Sequence, residues 1–168
     1  MKRFWFVIIA AGIAVMAMSA LQYLTRPKAG DQALPFELIS IDSKPVSLEG
    51  FKGRPVIVHF WASWCGACRA EFPSLAQLQP EFAKEGLVVL AISEDEQPRD
   101  AAGFAAPFKS GLTVLFDPEG EVADSYQSFA VPETFFIDKD GKIAWRRAGP
   151  IDWGSPDVSA RVKGLIGG

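Results

Sequence analysis

At 168 residues, 49% of them hydrophobic and 22% charged, the chain has material for one globular domain of ordinary size plus an appendage, and not for two domains. Its 17 basic and 20 acidic residues give a net charge of −3 with no basic run after Lys28, which leaves nucleic-acid binding without electrostatic support. The only two cysteines, Cys65 and Cys68, close too small a loop to act as a structural staple.

Residues 4–24, "FWFVIIAAGIAVMAMSALQYL", carry no charge, and as a helix would span about 30 Å, the thickness of a bilayer core. We read them as a membrane anchor. Lys2 and Arg3 keep the N-terminus on the cytoplasmic side and place the rest outside, although Arg26 and Lys28 weaken that bias. A cleaved signal peptide is the alternative, with Ala17 and Ser19 as small residues for a cleavage site; the run exceeds the usual signal core of about 7–15 residues, which favours the anchor. A buried helix of a soluble protein would need a polar face that this run lacks. Residues 25–34 read as a linker and 35–168 as the domain.

Within that domain, "FELISI" and "PVSLEGF" predict an N-terminal β-hairpin around "DSK". "RPVIVHFW" is a nearly continuous apolar, β-branched run, the pattern of a central strand covered on both faces. Phe72, Leu75, Leu78 and Phe82 recur at helical spacing, predicting a helix over 66–84 that contains Pro73 and Pro80. "GLVVLAIS" is a second buried strand, so strand, helix and strand form a βαβ unit with a right-handed crossover. A short helix ending at Gly111 follows, then the strand "LTVLFD". Asp117 and Pro118 read as the cap and first position of a helix reaching Ser128. "ETFFID" and "GKIAWR" flank a hairpin turn at "KDG", and a last helix starts near Ser155 and Pro156. The expected fold is an α/β sandwich with a mixed sheet.

Cys65 and Cys68 fall where the first central strand ends and its helix begins. One turn apart, their sulfurs share a face and can close a disulfide, while the helix N-terminus lowers the pKa of Cys65. Cys65 is therefore the attacking sulfur and Cys68 the resolving one. Structural zinc usually needs four ligands, and the chain supplies two cysteines and one histidine, His59. Haem attachment needs a histidine directly after the second cysteine, where Arg69 stands.

"FWASWCGACRAEFP", with "SLEGFKGRPVIVHFW" before it and "VPETFFIDKDGKI" after it, resembles the membrane-anchored TlpA/ResA/CcmG-like thiol:disulfide oxidoreductases of the thioredoxin-like superfamily, over residues 34–147. The resemblance implies a thioredoxin-like fold with a helical insertion, here about residues 94–111. It further implies an exported, usually reducing domain at the inner membrane, facing the periplasm or an equivalent extracytoplasmic space. Its clients would be proteins with disulfides, such as cytochrome c maturation or copper-site assembly factors, and a membrane thiol transducer would re-reduce it. The cofactor is its own Cys65–Cys68 dithiol, with no nucleotide or flavin motif in the chain. Trp64, Gly66, Ala67, Val131 and a cis Pro132 would meet the substrate. Glu71 matches an acidic residue beside the active site and could exchange protons with Cys68. His59 stands where relatives often carry asparagine; it is a proton relay if buried near Cys68, or a core histidine satisfied by a neighbour.

Two rivals follow from the same residues. A copper-binding or delivery module would use Cys65, Cys68 and His59 as soft ligands. A peroxidase would need a threonine shortly before its reactive cysteine, where Ser63 and Trp64 stand.

Overall fold

The computed structural model describes residues 8–9, 12–17 and 26–167. Residues 8–9 and 12–17 are helical, and among the described residues no helix is long and apolar enough to cross a membrane. Most of the expected anchor, 4–24, lies outside the described residues.

The domain is built on a seven-stranded mixed sheet in the order β2-β1-β5-β4-β3-β6-β7. Its elements are β1 (Glu37–Ser40), β2 (Pro45–Ser47), β3 (Val56–Trp61), α1 (Gly66–Glu81), β4 (Val88–Ser93), α2 (Pro98–Ala105), β5 (Thr113–Phe116), α3 (Glu121–Ser125), β6 (Glu133–Ile137), β7 (Ile143–Ala148) and α4 (Pro156–Gly167). β3, β4 and β5 run parallel; β6 lies antiparallel beside β3 and pairs in turn with β7. This is the expected thioredoxin-like α/β architecture, with the βαβ unit at its centre.

Alternation explains why β3 and β4 are buried at every position. Ile57 and Trp61 point into the core shared with Phe72, Leu75 and Leu78 of α1, whereas Val56, Val58 and Phe60 point into the opposite core with Tyr126 and Phe135. His59 shares the parity of Ile57 and Trp61 and so belongs to the α1 face. The strand therefore delivers His59 beneath the helix that carries the cysteines.

Three local readings change. The helix predicted over 66–84 ends at Glu81, and Ala83–Glu85 forms a separate 3-10 turn closed by Gly86 in the left-handed region. The helix expected from Asp117 to Ser128 is only Glu121–Ser125, because Gly120, at φ 70°, breaks the chain between them. The Asp117 carboxylate nevertheless caps it from outside, accepting hydrogen bonds from Val122 N and Ala123 N at 3.3 and 2.8 Å. Part of the expected linker is fastened to the domain: Gly30 N donates to the Ile143 carbonyl, Ile143 N to that of Asp31 and Ala33 N to that of Gly141.

The inserted segment is docked onto α1. Phe104 and Phe108 pack on Phe72, with ring centroids 5.3 and 5.5 Å from it. Gly111 closes the segment so tightly that a Cβ there would stand 1.8 Å from the Ala76 carbonyl oxygen, which only glycine permits.

Candidate active site

Cys65 caps α1. Its sulfur accepts from Cys68 N at 3.1 Å, so the side chain occupies one of the unpaired N–H positions at the positive end of the helix. Negative charge forming on Cys65 is stabilised there, which makes it the better nucleophile of the pair. Cys65 and Cys68 are joined as a disulfide with Cα atoms 5.3 Å apart. Cys68 is fully buried and Cys65 is 7% exposed, an asymmetry that presents one sulfur to a partner and shelters the other.

Exposed aromatic side chains stand next to Cys65 in the chain and two residues before Val131. Trp64 is 71% exposed, Phe129 is 68% exposed, and Gly66 and Ala67 are also open to solvent. The Val131–Pro132 bond is cis, Pro132 is buried, and the Val131 carbonyl oxygen lies 3.7 Å from Cys65 Sγ. The structure thus brings Trp64, Gly66, Ala67, Val131 and Pro132 together around one sulfur.

Glu71, one turn beyond Cys68, points inward. Its Oε2 accepts from Ile151 N at 2.7 Å and from the Trp153 indole N–H at 3.2 Å. Burial pushes its pKa up to about 7, against the opposing pull of those two donors. His59 is fully buried, its Nδ1 2.9 Å from Thr134 Oγ1 and its Nε2 3.5 Å from Glu71 Oε1. Burial pushes its pKa down to about 3, so the imidazole is neutral. Trp153 stands edge-on to the imidazole at 5.7 Å. The two residues expected to act separately on Cys68 are neighbours of each other.

That placement bears on the copper alternative. His59 is bound to Thr134 and lies 3.5 Å from Glu71, and among the described residues no group of three or more His, Cys, Asp and Glu side chains could hold a metal ion.

Four contributors escaped the sequence reading. Asp95 accepts from Ser63 N, Ser63 Oγ and Ser93 Oγ at 2.9, 2.7 and 2.7 Å, clamping the turn before Cys65. Its position just beyond a buried strand was the available signal. Arg146 pairs with buried Glu133 at 2.8 Å and donates to the carbonyls of Pro27 and Gln127, bracing the chain on both sides of the Phe129–Pro132 loop. Phe129 and Trp153 gave no local signal: the fold alone carries Trp153 to Glu71, and Phe129 stands exposed two residues before Val131.

Comparison with known proteins agrees with this geometry. The AhpC/TSA family model matches residues 29–146. The chain belongs to the AhpC/TSA family. Within it, the chain is 32% identical over 114 residues to the thiol-disulfide oxidoreductase ResA of Bacillus thuringiensis subsp. konkukian, covering 68% of this chain and 66% of that protein. It is 30% identical over 119 residues to ResA of Geobacillus thermodenitrificans, covering 71% and 68%. The chain thus spans about two thirds of the length of these curated relatives. A putative thiol:disulfide interchange protein DsbE from Chlorobium tepidum superimposes with a TM-score of 0.77 at 31% identity, over 84% of this chain and 99% of that one. This AhpC/TSA member therefore shares the fold of a relative named for thiol-disulfide interchange, and its own Cys65 and Cys68 form a CxxC at disulfide distance.

Proposed function

We propose that this chain is an extracytoplasmic thiol-disulfide oxidoreductase that reduces disulfides in client proteins. The observation that carries the reading is Cys65 at the cap of α1, its sulfur held by Cys68 N and lying 3.7 Å from the Val131 carbonyl of the cis Val131–Pro132 bond, with exposed Trp64 next to it in the chain. The ResA and DsbE relatives support the reaction class. The uncharged run 4–24 supports an anchor in the inner membrane, with the domain in the periplasm or an equivalent space.

In the reduced chain the Cys65 thiolate attacks one sulfur of a client disulfide. The client bond breaks, and its other sulfur leaves as a thiolate that takes a proton from water. Glu71, as carboxylate, accepts the proton of Cys68; the new thiolate attacks Cys65 Sγ, restores the Cys65–Cys68 bond and expels the client's first sulfur, which is protonated in turn. Two electrons pass to the client and two protons accompany them. A membrane dithiol transducer returns the electrons by the reverse exchange. Trp64 and Phe129 offer the client an apolar landing, and the backbone of Gly66, Ala67, Val131 and Pro132 faces its chain. Clients from cytochrome c maturation or copper-site assembly fit this chemistry.

Insulin disulfide reduction tests the mechanism. Cys65→Ser should lower it to the uncatalysed background, and full activity in that variant would overturn the reading. Cys68→Ala should accumulate a mixed disulfide through Cys65, and mass spectrometry of the trapped species identifies the client.

A further inference from the structure

The contact between His59 and Glu71 is unusual in its bookkeeping of hydrogen atoms. Oε2 of Glu71 accepts from two N–H donors, Ile151 N and Trp153 Nε1, so it carries no proton of its own. Oε1 has no hydrogen-bond partner, and neither has Nε2 of His59, 3.5 Å away. Both atoms are buried, and leaving both unsatisfied is costly. If Glu71 is neutral its proton must therefore sit on Oε1, where Nε2 is the acceptor in reach once the gap tightens by a few tenths of an ångström, as hydrogen bonds in resting sites commonly do. A neutral imidazole that accepts at Nε2 carries its own proton on Nδ1, and Nδ1 stands 2.9 Å from the Thr134 hydroxyl oxygen. Thr134 is the register partner of His59 across β3 and β6, so the sheet itself fixes this third member.

We propose that His59 is the acceptor that holds the redox-linked proton on Glu71 Oε1, and that Thr134, by accepting from Nδ1–H, keeps the Nε2 lone pair aimed at it. The inference rests on Glu71 being the proton partner of Cys68. His59 is then a positioning residue that acts on the sulfur through the carboxyl. When the disulfide is opened by a donor dithiol, Cys68 leaves as a thiolate and takes the Oε1 proton, forming a thiol and a carboxylate. The carboxylate now faces a lone pair instead of a donor, which raises its affinity for the proton and makes it a stronger base for the return step. Two neutral partners hold this proton, so no full charge is buried while the disulfide is closed.

The surroundings are sparse in charge. β4 contributes Ala91 beside His59, α1 contributes Cys68, and the segment before α4 contributes Ile151 and Trp153. Of the charged neighbours in chain and register, Asp152 beside Ile151 and Arg147 opposite Thr134 on β7 are exposed, while Glu133 beside Thr134 is buried and paired with Arg146.

His59 is the sole histidine of the chain, so its imidazole gives one set of nitrogen signals. The test is ¹⁵N NMR on the full chain, without a histidine tag, in detergent micelles and in the disulfide form. At pH 5.5 a neutral ring protonated at Nδ1 is expected, with the Nε2 signal moving through a midpoint near pH 7 that vanishes in Glu71→Gln. A ring protonated at Nε2, a doubly protonated ring, or an Nε2 signal that does not move between pH 5.5 and 8.5 overturns the inference. Thr134→Val should lower that midpoint by about one pH unit, a tenfold loss of proton affinity, and Thr134→Ser should restore it; an unchanged midpoint in Thr134→Val also overturns it. Insulin reduction is measured on the same samples. A chain that reduces insulin but lacks the Nδ1–H tautomer loses this inference alone, whereas one with that tautomer and no reductase activity loses the proposed function.

Discussion

Glu71 and Glu133 are both buried carboxyl groups, 6% and 2% exposed, yet the chain partners them in opposite ways. Glu133 has a full cation, the Arg146 guanidinium at 2.8 Å, which in turn ties the carbonyls of Pro27 and Gln127. Glu71 has two N–H donors and a neutral imidazole. A carboxylate and a guanidinium at 2.8 Å form a charge-assisted hydrogen bond that fixes both side chains, so the first arrangement makes a brace. A carboxyl in an apolar setting without a cation is easily protonated, and the second arrangement makes a proton carrier. One holds the strand that follows the cis-proline, and the other stands one helical turn beyond Cys68.

Breaking the brace should cost the most. Arg146→Ala leaves the Glu133 charge buried without its partner, and a loss of about 3–5 kcal/mol in unfolding free energy is expected, measured by denaturant titration. The double variant Arg146→Met with Glu133→Leu should recover most of that loss, because two apolar side chains leave no stranded charge. If Arg146→Ala is within about 0.5 kcal/mol of the parent, the pair is no brace.

Glu71→Gln should leave the fold intact and alter the chemistry. As the base for Cys68, Glu71 acts when ionised, so the rate of insulin reduction should rise with pH through about 7 in the parent chain. In the variant that inflection should disappear and the rate at pH 8 fall by about 100-fold. Stability carries the complementary sign. The fold raises this pKa above its ordinary value of 4.5, so the contribution of Glu71 is fully present below pH 4.5 and is lost as pH rises through about 7. Burial likewise raises the pKa of Glu94 to about 7, so calorimetry should find the decline in the parent shallower, and not abolished, in Glu71→Gln; an unchanged decline assigns it to Glu94 alone.

The smallest effect belongs to the exposed surface. Trp64→Ala removes apolar area that only a macromolecular client covers, so KM for insulin should rise several-fold while the rate with a small disulfide stays unchanged. Equal losses on both substrates would place Trp64 in the chemistry instead of the docking.

The contrast between the two carboxyls also marks how far the sequence could be read. Strand, CxxC and helix were legible because their periodicities are local and strong. The meeting of His59 and Glu71 was also within reach: strand parity puts His59 with Ile57 and Trp61, and helical spacing puts Glu71 on the stripe of Cys68, Phe72 and Leu75. The brace was not, since Arg146 lies 119 residues from Pro27, and no local pattern signals such a contact. Trp153 reaches Glu71 over 82 residues for the same reason. Asp117 misled because its cap chemistry is genuine, but Gly120 moves the helix it serves three residues downstream.

Asp95 and Gly111 bound the inserted segment like two rivets. One is fixed by three hydrogen bonds to Ser63 and Ser93, the other by the contact with Ala76 that forbids any side chain. The stretch between them lies over α1, on Phe72 and Arg69, yet its ends cannot drift. Its outward-facing residues, Arg99 and Gly103 among them, are free to vary without disturbing the electron-carrying pair, so recognition of new partners can be written there while the reaction stays the same.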